Sequence, residues 1–284
     1  MKKIILTFIL ISTYIFSNIN VVVSIVPQQT FLKAIGGDKV NSIVMVQAGD
    51  SPHAYEPKPS QMLWVGKADL YLAIDVEFED VWLGKFKNQN THMQIVDITK
   101  GIEKIHMVEK CAHGHEAHTH AHEGTDPHIW TSPHNVKRIA QNIYDALASY
   151  DPSNIKYYKN NLKRFLSSIE ETNKQIVQIL STLKDSRSFM VFHPSWGYFA
   201  KAYDLKQIAV EVEGKSPKPR ALIQLIKEAK KEKVNAIFTQ PEFSDSSAKI
   251  IAKALHIPVV KISPMAADWS PNLIVMAKTI AGQK

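Results

Sequence analysis

Three histidines stand in three short, separate contexts: His53 in Gly49-Asp50-Ser51-Pro52-His53, His128 in Asp126-Pro127-His128-Ile129-Trp130, and His193 in Phe192-His193-Pro194-Ser195-Trp196. Neutral imidazole is the commonest metal ligand near neutral pH, so histidines held in place by a fold can converge on one ion. Each is separated from the next by more than sixty residues, which excludes a local zinc finger and makes the tertiary fold responsible for any shared site. Taken singly, a histidine in such a context is more often an ordinary core or surface residue. Six more, His106, His113, His115, His118, His120 and His122, crowd one stretch with Glu109, Glu116, Glu123 and Cys111. Together these residues read as zinc handling.

The stretch 106–124 has neither a helical nor a strand period, so it is expected to be a mobile polar loop. Such a loop binds zinc loosely and at variable stoichiometry, and raises the local concentration of the ion beside a tighter site. The plainer alternative is a solvated loop whose histidines meet metal only in vitro.

Positioning three distant ligands needs a substantial fold, and the composition supplies one. A chain of 284 residues with 45% hydrophobic content can bury two ordinary cores. The formal charge of +7 comes from scattered lysines, without an aromatic-interleaved basic stripe, so nucleic acid is not an expected partner. At the N-terminus, Lys2 and Lys3 precede an apolar run over 4–16 and then Ser17, Asn18 and Asn20, the layout of a secretory signal over 1–19. An uncleaved anchor continuing through 21–26 is the alternative. Cys111 is the only cysteine, so no intramolecular disulfide forms and no cysteine stands ready to carry a lipid at a processed N-terminus. The expectation is a soluble periplasmic protein, not a lipoprotein.

Short apolar runs alternate with helical patterns along the remaining chain. Strands are expected over 21–26, 43–46, 70–74 and 93–98, with helices over 28–35 and 60–65, the rhythm of a parallel α/β sheet. This first α/β domain spans 20–150. Residues 151–183 follow as one long helix, opened by Asp151-Pro152 and carrying apolar residues at three- and four-residue spacing from Ile155 to Leu183. At about 1.5 Å per residue it would reach roughly 48 Å, enough to join two domains, with a helical hairpin as the alternative. A second α/β domain over 184–284 has strands expected at 189–192, 207–212, 234–238 and 259–262, and helices at 196–203, 219–231, 246–255 and 271–281. His193 directly follows the first of these strands. Ligands of open α/β sheets collect beyond the carboxyl ends of strands, so a metal cleft between the two domains fits.

With the three histidine contexts extended to Ala54-Tyr55-Glu56-Pro57-Lys58-Pro59-Ser60, Thr131-Ser132-Pro133 and Gly197-Tyr198-Phe199, the chain resembles the ZnuA-type zinc-specific periplasmic solute-binding proteins of ABC importers. The cluster also includes manganese-binding relatives. The resemblance spans nearly the whole chain after the signal and takes in the histidine-rich insertion and the long helix. It implies two α/β domains joined by a rigid helix with little hinge motion, and it assigns His53, His128 and His193 as ligands of Zn2+, the transported ion. It further implies a monomeric capture protein that hands zinc to an ABC permease. Manganese-binding relatives tend to carry a carboxylate where this chain has His193, and nitrogen-rich sites suit zinc. Many relatives also place an aspartate where this chain has Ser263. The fourth ligand is therefore open among water, Asp268, Glu211 and a histidine of the loop.

Two rival functions share these residues. A three-histidine zinc with an open water position is also the pattern of hydrolytic enzymes, since the metal lowers the pKa of that water to about 7. No His-Glu-x-x-His pair and no glutamate placed as a general base accompany it here, so an enzyme is not expected. A zinc-dependent surface adhesin on the same scaffold is the other alternative.

Overall fold

The computed structural model describes residues 18–107, 124–183, 186–211 and 215–283. Two four-stranded parallel sheets carry the molecule, with strand orders β2-β1-β3-β4 and β6-β5-β7-β8. The first sheet contains β1 (Ile19–Ile25), β2 (Val40–Val46), β3 (Leu70–Ala73) and β4 (Gln94–Asp97). The second contains β5 (Ser188–Val191), β6 (Lys206–Ala209), β7 (Ile237–Thr239) and β8 (Val259–Lys261). Central strands of parallel sheets are covered on both faces and so read as unbroken apolar runs rather than alternating ones. β1 obeys this: Val21, Val22 and Val23 are all fully buried. Its pairing already includes Ile19 with Val40, so the strand begins one residue inside the stretch that the sequence reading gives to the signal.

Each sheet reverses its winding direction between its two central strands. The chain leaves β1 for β2 on one side and returns to β3 on the other, and β5, β6 and β7 repeat this in the second sheet. At such a switch point the loops after adjacent strands part, leaving a crevice at the carboxyl ends. In the first sheet Gln28 ties the crevice together. Its side-chain oxygen accepts from the backbone amides of Ser24 and Ile25, and its nitrogen donates to Leu72 O at 2.9 Å.

The helices include α1 (Val26–Gly36), α2 (Pro59–Val65), α3 (Glu77–Gln89), α4 (Pro133–Tyr150) and α5 (Ile155–Leu180). They continue with α6 (Gly197–Ala202), α7 (Pro219–Lys231), α8 (Ser246–Leu255) and α9 (Trp269–Ile280). The long helix is α5, continuous over 26 residues and so about 39 Å in length. It is one helix, with no hairpin. Residues 152–154 form a separate 3-10 turn before it, and Asp151 accepts from the side chains of Ser153, Asn154 and Tyr158. The α5 face carrying Tyr158, Leu162, Ile169 and Ile176 is buried, against α1 and α4 on one side and α9 on the other. Helices α3 and α4 are absent from the sequence reading, although α4 buries Val136, Ile139, Ala140 and Ile143 at helical spacing.

The principal core does not stop at the domain boundary. One continuous buried cluster runs from β1 through Trp130, Phe189, Trp196 and Phe238 to Trp269 and Ile280. The smaller cluster around Met190, Phe192, Ile208 and Ile251 belongs to the second domain alone. Trp130 Nε1 donates to Pro264 O at 2.8 Å, Trp269 Nε1 donates to Trp130 O at 2.7 Å, and Trp269 meets Phe31 edge-on. Both sheets are thereby seated on shared aromatic residues. No described helix is long and apolar enough to cross a membrane.

Candidate metal centre

His53 lies in a one-turn 3-10 helix, Pro52–Ala54, in the loop after β2, where Ser51 Oγ accepts from the His53 amide at 3.4 Å. His128 follows Asp126-Pro127. Asp126 Oδ1 accepts from the His128 amide at 2.9 Å and contacts His128 Nδ1 at 2.8 Å, so one carboxylate fixes both backbone and ring. Tyr198 reaches across from the second domain to donate to Asp126 O at 3.0 Å. His193 lies two residues beyond the end of β5, at the switch point. Gln240, just past the end of neighbouring β7, accepts from the His193 amide at 3.3 Å and donates to its carbonyl at 2.8 Å. The Phe243 ring stacks on the imidazole, with centroids 4.8 Å apart.

These elements bring the three rings together as a triangle, with centroid separations of 5.0 Å (His53 to His193), 5.5 Å (His128 to His193) and 5.8 Å (His53 to His128). One ligating nitrogen from each lies within 4.8 Å of the other two. Every ring has a carboxylate at Nδ1: Glu77 on His53 at 2.7 Å, Asp126 on His128 at 2.8 Å, and Glu211 on His193 at 2.7 Å. A carboxylate there takes the Nδ1 hydrogen, fixes the tautomer and leaves the Nε2 lone pair free for a metal. The Nε2 atoms of His53 and His193 stand 3.1 Å apart. In that tautomer two lone pairs face each other, a repulsion that a shared cation relieves. Donors around tetrahedral zinc, at about 2.0–2.1 Å, lie about 3.3–3.4 Å from one another, so the spacing suits the ion.

The electrostatics point the same way. His128 is buried, and burial pushes its pKa below the usual histidine value despite the opposing Asp126, which keeps the imidazole neutral and ready to ligate at pH 7. Burial also acts downward on His53, but the hydrogen bond and charge of Glu77, with Glu211 and Asp126 further off, outweigh it and leave the pKa raised. Burial raises Glu77, yet contact with His53 brings it below the usual carboxylate value. Glu211 is buried, and its Oε2 finds no partner among the described residues. Such a charge is costly unless positive charge stands close by.

The cavity between the histidines is small, about 20 Å³, and is lined by Ser51, Pro52, His53, His128, His193, Gln240, Glu242, Phe243, Pro264 and Met265. It has room for an ion and little else. A larger opening of about 650 Å³ lies among Glu103, His134, Lys137, Arg138, Tyr198 and Lys201 and contains none of the three histidines. The convergent ligand chemistry, rather than size, marks the site.

Glu211, an expected alternative for the fourth ligand, instead faces the far side of His193 at Nδ1. Asp268 stands at the head of α9 and is absent from the cavity wall. Ser263 donates to Glu242 Oε1 at 3.4 Å, so the nearest acid at that position comes from the loop after β7. His106 is exposed and pairs as an isolated bridge with Thr125, away from the cavity wall. His113, His115, His118, His120 and His122 lie outside the described residues. The sequence reading missed Glu77, Asp126 and Glu242. Asp126, two residues before His128, was within reach of local inspection, whereas nothing in the sequence joins Glu77 to His53.

A profile of the family described as the periplasmic zinc-uptake complex component A matches residues 21–281. Zinc-binding protein AdcA of Streptococcus pyogenes serotype M3 is 27% identical over 262 residues, covering 87% of this chain and 50% of the relative. Zinc-binding lipoprotein AdcA of Streptococcus pneumoniae R6 is 25% identical over 253 residues, with the same coverage. The chain thus spans about half the length of these curated relatives. Among solved structures, a crystal structure of ZnuA is 41% identical with a TM-score of 0.85, covering 94% of this chain and 99% of that one. A ZnuA deletion mutant with zinc bound is 42% identical with a TM-score of 0.83, covering 93% and 97%. Profile, sequence relatives and structural neighbours agree over nearly the whole described fold, and the chain belongs to the ZnuA family of zinc-uptake complex components.

Proposed function

We propose that the protein captures Zn2+ in the periplasm and delivers it, as a monomer, to the membrane permease of an ABC importer. The observation that carries this reading is the convergence of His53, His128 and His193 with a carboxylate behind each ring. In it the three Nε2 atoms ligate the ion, and the first domain supplies two of them while the second supplies one. Three nitrogen donors favour zinc over manganese, which prefers oxygen. The histidine-rich segment collects zinc and raises its concentration beside the cleft.

The small cavity speaks for capture rather than hydrolysis, because a hydrolase needs room for a substrate beside the metal-bound water. Competitive zinc titration of the mature protein tests the proposal. His53→Ala, His128→Ala and His193→Ala should each abolish the tight site, while removal of residues 106–122 should leave it and eliminate only weaker binding. Retention of tight binding by any of the three alanine variants would contradict it.

A further inference from the structure

The segment after β7 encloses His193 from several directions. Gln240 holds its backbone, Phe243 stacks on its ring, and Glu242 between them forms part of the cavity wall. Glu242 is the only carboxylate among the described residues of that wall. The acids paired with the three histidines all sit at Nδ1, on the side of each ring away from the Nε2 atoms. The Glu242 side chain meets Ser263 Oγ at 3.4 Å, and it faces the Gly49 amide of the opposite domain. Glu242 thus lines the cavity beside the three histidines and links the second domain to Gly49 of the first. Pro52, Phe243 and Met265 line the same cavity, and apolar walls of this kind strengthen any charge interaction there.

We propose that Glu242 is the acidic partner of the zinc cargo on its open face: it accepts a hydrogen bond from a water in the fourth coordination position and so retains the ion. This inference rests on the zinc-capture reading and adds to it the residue that governs the fourth position. An outer carboxylate of this kind changes metal affinity by about 10- to 100-fold.

The test is competitive zinc titration of wild type, His128→Ala, Glu242→Gln and Glu242→Asp, with melting of each metal-free protein in parallel. The expected result is a loss of about 10- to 100-fold in affinity for Glu242→Gln with unchanged metal-free melting, and recovery of most of it in Glu242→Asp. Affinity of Glu242→Gln within about twofold of wild type, beside a tight wild-type site that His128→Ala destroys, overturns the role of Glu242 alone. Absence of a tight site in wild type overturns the capture reading itself. Should Glu242→Gln melt lower without metal, the aspartate variant decides: recovery supports the proposal, and an equal loss of affinity overturns it.

Discussion

At the scale of single residues, the candidate site is built from pairs, each an imidazole with a carboxylate at its Nδ1. The carboxylates make distinct predictions. Asp126→Asn and Glu211→Gln keep the shape of each side chain but not its charge, so each should weaken zinc binding by about 10- to 100-fold without unfolding the protein, measured by competitive titration. Zinc binding requires Nε2 to be free of a proton, and His53 has a raised pKa. Zinc affinity should therefore be flat at higher pH and fall as pH drops through a value above the ordinary histidine range. Glu77→Gln should move that fall to lower pH, as read from titrations between about pH 5 and about pH 8. Glu79 is a different case, two positions from a site acid but pointing into the core. Burial raises its pKa to about 7, although Ser24 and the amides of Ile74 and Asp75 favour the charged form. A folded pKa above the unfolded one means that the folded state holds the proton more tightly, so this contribution is complete below about pH 4.5 and lost as pH rises through about 7. Urea unfolding of Glu79→Gln should show a flatter pH dependence than wild type across that window.

At the scale of elements, the site depends on how closely α6 approaches the Asp126-Pro127-His128 turn. A Cβ placed on Gly197 would lie 2.5 Å from Asp126 Oδ2, and Asp126 is buried and tied by two hydrogen bonds to His128, so it cannot move aside. Gly197→Ala should therefore cost about 1–3 kcal/mol in stability and also weaken zinc binding, because the strain falls on the residue that orients His128. Thermal melting and titration of the same variant check both effects. The elements also show what could be read without a structure. The valine run of β1, the proline-opened α4 and the glycine-free α5 carry their conformations in local pattern. That pattern made the parallel α/β architecture and the long helix legible, although α4 went unread despite its clear period. The three histidines were legible because each stands in a distinctive short context. Glu77 and Glu242 were not, since only the packing of α3 beside the His53 loop and of the β7 loop over His193 brings those carboxylates to the histidine cluster. Glu211 is legible as a candidate fourth ligand, but tertiary geometry places it at Nδ1 of His193 instead.

At the scale of the whole molecule, two sheets with the same strand order share one core through Trp130, Trp196 and Trp269. A core continuous across the boundary resists hinge motion and couples the unfolding of the two halves. Calorimetry of the metal-free protein should accordingly give one cooperative transition, and two resolved transitions would contradict the shared core. Trp269→Ala removes the contact with Phe31 and the hydrogen bond to Trp130 together, and should cost about 3–5 kcal/mol. A rigid scaffold of this kind suits a protein that presents three preset nitrogens to an incoming ion. The most direct test of that claim is X-ray absorption at the zinc edge of the mature protein loaded with one equivalent of zinc. The account predicts three imidazole nitrogens at about 2.0–2.1 Å with one further light atom, unchanged when residues 106–122 are removed. A sulfur neighbour, or fewer than three imidazoles, would contradict it.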